Sequence, residues 1–331
     1  MELSPKALVY PGAMWYTFLR KRERMNALMD FSGMFTTQGM MFLILMLGYL
    51  LSKSGMIPEN GKKLLSDLTL NVTLPASIIK SFQTEFSAGI ARSCAAIALV
   101  SLFIQVACTL FSGYLYPHMP HDRKRILQYS TVTSNAGILG SVVAQGIFGE
   151  MGLLYASIYL IPQRIFMWSV GMRYFTDGLD KKKILRQVAL NPCIIAVGVG
   201  LVIMLFQVPL PAVLSAAVKN IASGNTLLAM LLVGNILAQV DLRTVPERDT
   251  LYYSFVRLVL VPGIVLLCCR LAGMESLVTN VAVVLSGMPG PATAAALAAK
   301  YGREEQFATK CVVLSTLLSL VTVPVWCLIL A

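Results

Sequence analysis

Charge is scarce in this chain: Asp, Glu, Lys and Arg together make up 13% of its 331 residues. A soluble domain carries about a quarter charged residues, so that class is excluded. The 56% hydrophobic content and a mean hydropathy of +0.72 point instead to a polytopic membrane protein. Histidine occurs twice, as His118 and His121 in one loop without a cluster of partners, so no metal site is expected. The seven cysteines form no CxxC pair and fall in apolar stretches, where they read as small buried apolar residues. Phosphate-loop and zinc-protease motifs are absent. No Ser/His pair, acidic metal motif or Asp-rich prenyl site occurs in the apolar runs, so neither an enzyme activity nor a cofactor is expected. The net charge of +11 would suit a nucleic-acid partner, but the bases sit in loops between apolar runs, as cytoplasmic loops do. That excludes nucleic acid and leaves the lipid bilayer as the surroundings.

A spanning helix needs about 20 apolar residues. Ten such runs are present, at about 37–53, 62–82, 90–116, 124–148, 151–174, 185–206, 213–239, 250–272, 276–299 and 304–330. The loops that follow runs 1, 3, 5, 7 and 9 hold fifteen Lys and Arg. The alternate loops hold Lys80, Arg92 and Arg270. The positive-inside rule then puts the first set in the cytoplasm and both termini outside, in the cell inner (plasma) membrane. Residues 1–35 form an N-terminal extension with a basic cluster, Arg20-Lys21-Arg22-Glu23-Arg24. It reads either as a basic anchor lying on anionic lipid or as an over-extended start, with Met25 or Met29 as the true first residue.

Two stretches break the apolar pattern. Ser134-Asn135-Ala136-Gly137-Ile138-Leu139-Gly140-Ser141 places an amide, two glycines and two serines inside run 4. Ser286-Gly287-Met288-Pro289-Gly290-Pro291 interrupts run 9. An unsatisfied polar group in hydrocarbon costs several kcal/mol, so irregular backbone survives there only inside protein or beside water. Two such breaks at matching places in two halves point to a transporter site at the midplane. Half-helix N-termini carry free N–H groups and partial positive charge, so they attract an anion. Asn135 offers both donor and acceptor to a carboxylate.

Five runs precede the charged central loop and five follow it. An odd number per half inverts the second half, which is the arithmetic of an inverted repeat. Displacing the first half by 153 residues puts Gly137 on Gly290, Phe148 on Tyr301 and Gly149 on Gly302. The fold class expected is therefore all-α: ten transmembrane helices in two inverted five-helix repeats, with crossed broken helices 4 and 9. The domains are residues 36–176 and 185–331, joined by a cytoplasmic loop at 177–184.

At these residues the chain resembles the auxin efflux carrier family, which includes plant auxin exporters and bacterial carriers of malate and related organic anions. The resemblance runs over about 35–331. It rests on Leu74-Pro75 ending run 2, Ser134-Asn135-Ala136-Gly137 through Phe148-Gly149, and Ser223-Gly224 through Leu232-Val233-Gly234. Met288-Pro289 through Lys300-Tyr301-Gly302, Leu314-Ser315-Thr316 and Val323-Pro324 continue it. The resemblance implies a scaffold of helices 1, 2, 6 and 7, and a transport domain of helices 3–5 and 8–10 that moves like an elevator. It implies that Asn135 and Pro289 are the crossover residues, with a substrate carboxylate near Asn135, and that Gln163 belongs to a supporting site. The long central loop of the plant carriers is missing, which fits a short prokaryotic form. Met-Pro-Gly-Pro at the second break departs from the family in carrying two prolines.

Charges inside spans are candidates for function by default. Arg164 sits beside Gln163, Arg257 lies in run 8 and Lys310 in run 10. Each could face substrate or instead bind helix-end carbonyls or lipid head groups. No acid lies between Asp122 and Glu150, or between Glu275 and Glu304. Cations without acids favour an anionic substrate. The expected function is a secondary carrier of a small organic anion, malate-like or auxin-like, with H+ or Na+ as candidate coupling ions and a homodimer as a candidate assembly. The alternatives are a cation–proton antiporter or sodium-coupled symporter on the same fold, and a non-transporting membrane receptor. The substrate-binding candidates are Asn135, Gly137, Gly140, Gln163, Arg164, Met288, Pro289 and Gly290. The structural candidates are Ser134, Pro75, Pro291 and Gly234.

Overall fold

The structure, a computed structural model, describes residues 36, 39–58, 61–176, 185–186 and 188–330. The expectations placed on residues 1–35 and on the loop 177–184 lie outside the described residues. Among the described residues every regular element is helical. Five helical runs are long and apolar enough to cross a membrane, and three shorter apolar helices accompany them.

The chain opens with α1 (Gly39–Lys53). It continues through α2 (Gly61–Leu68), a wide π-helical turn (Thr69–Thr73) and α3 (Leu74–Ser81). Pro75 has no N–H and cannot donate to the carbonyl four residues back. The helix accommodates it by widening, so that the Leu74 N–H reaches Thr69 O five residues earlier. The same device recurs later, where α10 (Arg248–Phe255) passes through a wide turn (Val256–Leu260) into α11 (Val261–Leu271), just ahead of Pro262. Between them lie α4 (Ala88–Leu115), α5 (His121–Val132), a wide turn at Ala136–Gly140 and α6 (Ser141–Trp168). After these come α7 (Pro192–Phe206), α8 (Ala212–Ser223) and α9 (Asn225–Ala238). Run 9 is split into α12 (Ser276–Ser286) and α13 (Ala292–Lys300), and α14 is Glu305–Leu330.

The apolar run His121–Tyr174 has 54 residues. Straight, it would be roughly 80 Å long, more than twice a hydrocarbon core of about 30 Å. It folds back at Gly149, which adopts φ +66 and ψ −156 inside α6. A Cβ on Gly152 would strike the Ala144 carbonyl and Phe148, contacts impossible along one straight helix. Gly302, its partner in the 153-residue displacement, has φ +63 and ends α13. Both turns need the left-handed region that glycine enters freely.

Polar contacts between helices fall into two groups. In the first, which joins α1–α3 with α7–α9, Thr73 Oγ1 donates to Asn225 Oδ1 (3.1 Å), Ser77 Oγ to Ala222 O (3.2 Å) and Asn235 Nδ2 to Ser52 Oγ (2.9 Å). In the second, which joins α4–α6 with α10–α14, Ser101 bonds the Tyr159 carbonyl, Tyr252 the Leu115 carbonyl and Trp326 the Leu258 carbonyl. At one end of this group Arg123 reaches Asp249 and Glu304, Arg303 pairs with Asp122, and Lys310 pairs with Glu247. The ion pair Lys80–Glu150, at 2.7 Å, runs between the groups.

Within the first group α1 and α9 cross at two glycines. A Cβ on Gly48 would lie 2.7 Å from Leu231 O, and one on Gly234 would strike Leu45 O and the Tyr49 backbone nitrogen. Small residues permit this approach in a membrane, where packing must replace the missing hydrophobic drive. Gly234→Ala is therefore expected to cost about 2–3 kcal/mol, because backbone cannot swing aside as a side chain would. Thermal unfolding in detergent measures it, and an unchanged melting temperature would contradict the assigned contact.

Candidate functional site

The first break begins where α5 ends. Thr133 is extended, with φ −113 and ψ 151, and the wide turn starts after Asn135. The second begins where α12 ends at Ser286, and the chain stays irregular to Pro291, the residue that precedes α13. The two breaks touch. The Asn135 N–H donates to Pro289 O at 2.8 Å. Gly140 faces Leu285 and Met288 so closely that a Cβ there would lie 2.8 Å and 3.0 Å from their side chains.

Each break frees backbone groups, and much of the local side-chain chemistry serves to satisfy them. Gln163, which is buried, donates from Nε2 to Ser134 O (2.9 Å) and Ser134 Oγ (3.1 Å). The Tyr253 hydroxyl donates to Ser130 O (3.1 Å), and the Ser315 hydroxyl accepts from the Gly290 N–H (3.0 Å). Tyr129 and Thr293 join the two broken helices through their hydroxyls at 2.9 Å. Arg257 is 2% exposed. Its Nε donates to Met288 O (3.0 Å) and its Nη1 to Thr131 O (2.9 Å), so one guanidinium holds carbonyls at the C-terminal ends of both first halves. A cation at helix C-termini opposes their partial negative charge.

Of the three cations in spans, Arg257 binds helix-end carbonyls and Lys310 pairs with Glu247. Arg164 differs. Among the described residues it makes no hydrogen bond or ion pair, and it is half-buried. Its guanidinium lies against the first break: a Cβ on Gly137 would be 2.5 Å from Nη2. The first-turn N–H groups of Ala136, Gly137 and Ile138 have no partner within their own helix. Asn135 is also half-buried, and its side-chain amide makes no hydrogen bond among the described residues. The Arg164 guanidinium thus lies beside Gly137 at the start of the wide turn that follows Asn135, and a guanidinium beside free N–H groups is suited to a carboxylate.

The sequence candidates separate accordingly. Arg164 touches the first break at Gly137, two residues after Asn135, and the wide turn that holds Gly137 packs against α9. Met288, Pro289 and Gly290 are buried. Gly140 packs against the second break, Gln163 braces the first through Ser134, and Pro291 sets the start of α13. Pro75 and Gly234 lie in the other helix group, Gly234 at the crossing of α9 with α1. Thr131, Tyr253, Thr293 and Ser315 were not singled out for the site. Ser315 stands in the family-like Leu314-Ser315-Thr316 without a role attached, and for the others the main signal is a hydroxyl in an apolar run, which recurs at many positions with no such role.

A family profile described as "Membrane transport protein" matches residues 35–184 and again 179–327. An uncharacterized transporter of Methanothermobacter thermautotrophicus is 26% identical over 309 residues, which is 91% of this chain and 100% of that protein. An uncharacterized transporter of Methanocaldococcus jannaschii is 22% identical over 295 residues, or 86% of this chain and 94% of that one. The two matches of the profile span almost all of the helical chain described above, both breaks included, and the chain therefore belongs to the membrane transport protein family, the auxin efflux carrier family that its motifs resemble.

Proposed function

We propose that the protein is a secondary carrier of a small organic anion. The carboxylate binds between the Asn135 amide, the Arg164 guanidinium and the N–H groups around Gly137. The observation that carries this reading is the unpaired Arg164 at the half-helix N-terminus, in a region where the sequence has no acid. A guanidinium in a membrane interior is costly unless a counter-charge joins it, and a malate-like dicarboxylate supplies one.

Ten helices in two inverted repeats suit the other observations. The breaks touch, Gly149 and Gly302 both adopt positive φ at equal distances after them, and the family profile matches once in each half. The two groups of polar contacts coincide with the scaffold (α1–α3, α7–α9) and transport domain (α4–α6, α10–α14) of an elevator. The ion pairs of Asp122, Arg123, Glu247, Asp249, Arg303 and Glu304 gather at one face the loops assigned to the cytoplasm by charge. Lys80–Glu150 and the Ser93–Glu275 bond belong to loops assigned outside.

Sodium coupling, rather than bare anion carriage, draws on one observation: Gln163 Oε1 is buried without a partner beside Ser134. An amide oxygen in that state accepts a cation as readily as a donor. Uptake of labelled malate or succinate into proteoliposomes tests the main reading, and a sodium gradient tests the coupling. Asn135→Ala should lower uptake about tenfold with little change in melting temperature. Equal uptake by the variant and the wild type would remove Asn135 from the site.

A further inference from the structure

The boundary between the two helix groups is crossed by packing of α6 against α3, α7 and α9, and among the described residues the ion pair Lys80–Glu150 bridges it. Apolar surfaces slide past one another with weak preference for register, because the hydrophobic contribution follows area and has no direction. An ion pair has direction and short reach, and Lys80–Glu150 is such a contact at this boundary. Lys80 stands in the last turn of α3, where a cation is favoured by the helix end. Its Nζ lies 2.7 Å from Glu150 Oε1, with the two side chains 32% and 43% exposed. Glu150 directly follows the Gly149 turn, at the tip where the two passes of α6 meet. Gln145 Nε2 braces the same oxygen at 3.3 Å. The second oxygen, Oε2, is buried and makes no hydrogen bond. A carboxylate left so poorly satisfied by its own helix group depends on the lysine of the other one.

Resting on the two-body reading above, we propose that Lys80 and Glu150 form a latch that holds the two helix groups in the alignment seen here, and that this latch must open in each transport cycle. A displacement of a few ångströms along the boundary carries Glu150 beyond the reach of Lys80, whereas the apolar contacts re-form one residue along. The pair therefore stabilises one alignment and leaves the other unaided. It gates the movement without touching substrate. Half-exposed pairs of this kind bias a two-state equilibrium by about fivefold, enough to change populations without freezing the carrier.

Spin labels on Val213→Cys, in α8, and Ala272→Cys, after α11, place one probe on each group at exposed positions. The half-exposed Cys94 and Cys268 are replaced by alanine, and the other native thiols are buried. Distances are then measured in lipid nanodiscs, without added substrate. One distance should dominate in the otherwise native protein. Glu150→Gln and Lys80→Met should each raise the population at a second distance about fivefold, and the exchanged pair Lys80→Glu with Glu150→Lys should suppress it again. Two distances whose populations ignore both single variants would overturn the latch and leave rigid-body movement standing. Single variants that shift the populations, with no rescue by the exchange, would assign the effect to local packing and also overturn it. One fixed distance in every variant and at every temperature would refute the two-body movement itself, and the latch with it.

Discussion

Arg257→Leu is expected to unfold the junction of the two broken helices. Leucine fills the volume of the side chain but donates nothing, so Met288 O and Thr131 O lose their donors in a buried setting. Each orphaned carbonyl costs about 1–3 kcal/mol. The loss falls on both breaks together, because one guanidinium serves both. The variant should melt well below the wild type in detergent, and uptake should be abolished. Arg257→Lys keeps the charge but offers a point donor in place of a planar fork, so it can hold one carbonyl well and not the pair. It should fall between the two. A leucine variant that melts with the wild type would show that these carbonyls find other partners and that Arg257 does not hold the two breaks together.

Arg164→Gln should do the opposite: spare the fold and lose the substrate. Among the described residues the side chain makes no bond to be missed, and relieving an unpaired, half-buried cation should leave the melting temperature equal or slightly raised. A charge-assisted hydrogen bond to a carboxylate is worth about 2 kcal/mol, or roughly thirtyfold in apparent affinity. Malate should stabilise the wild type against heat in proportion to its binding and fail to stabilise the variant. Gly137→Ala acts on the same contact from the other side, since its methyl group would displace the guanidinium tip. It should mimic Arg164→Gln in weaker form. If malate raises the melting temperature of wild type and Arg164→Gln alike, the anion sits elsewhere.

These two arginines show what the sequence can and cannot convey. Both stand as single cations in apolar runs, and nothing in their neighbours tells the structural one from the one left free. Their roles depend on which carbonyls approach across 31 and 126 residues of chain. The breaks themselves were legible, because Asn, Gly and Pro inside a spanning run violate the rule that backbone in hydrocarbon must be satisfied. The Gly149 and Gly302 turns were legible for a similar reason: an aromatic-Gly pair at equal distances after each break marks a stop. The role of Gly234 was not legible. Its missing side chain serves the close approach of α9 to α1, a partner that lies far away in the chain. The wide turns before Pro75 and Pro262 were not foreseen, because proline announces a disturbance without saying whether the helix kinks, ends or widens.

The backbone bond from Asn135 to Pro289 carries a thermodynamic consequence. It ties the two breaks into one piece, and the groups assigned to the anion all belong to that piece. A binding site that travels whole keeps its intrinsic affinity wherever it is presented. On this reading the protein has no built-in sense of import or export: concentration and electrical gradients alone decide the direction of net flux, and reversing them should run the same cycle backwards.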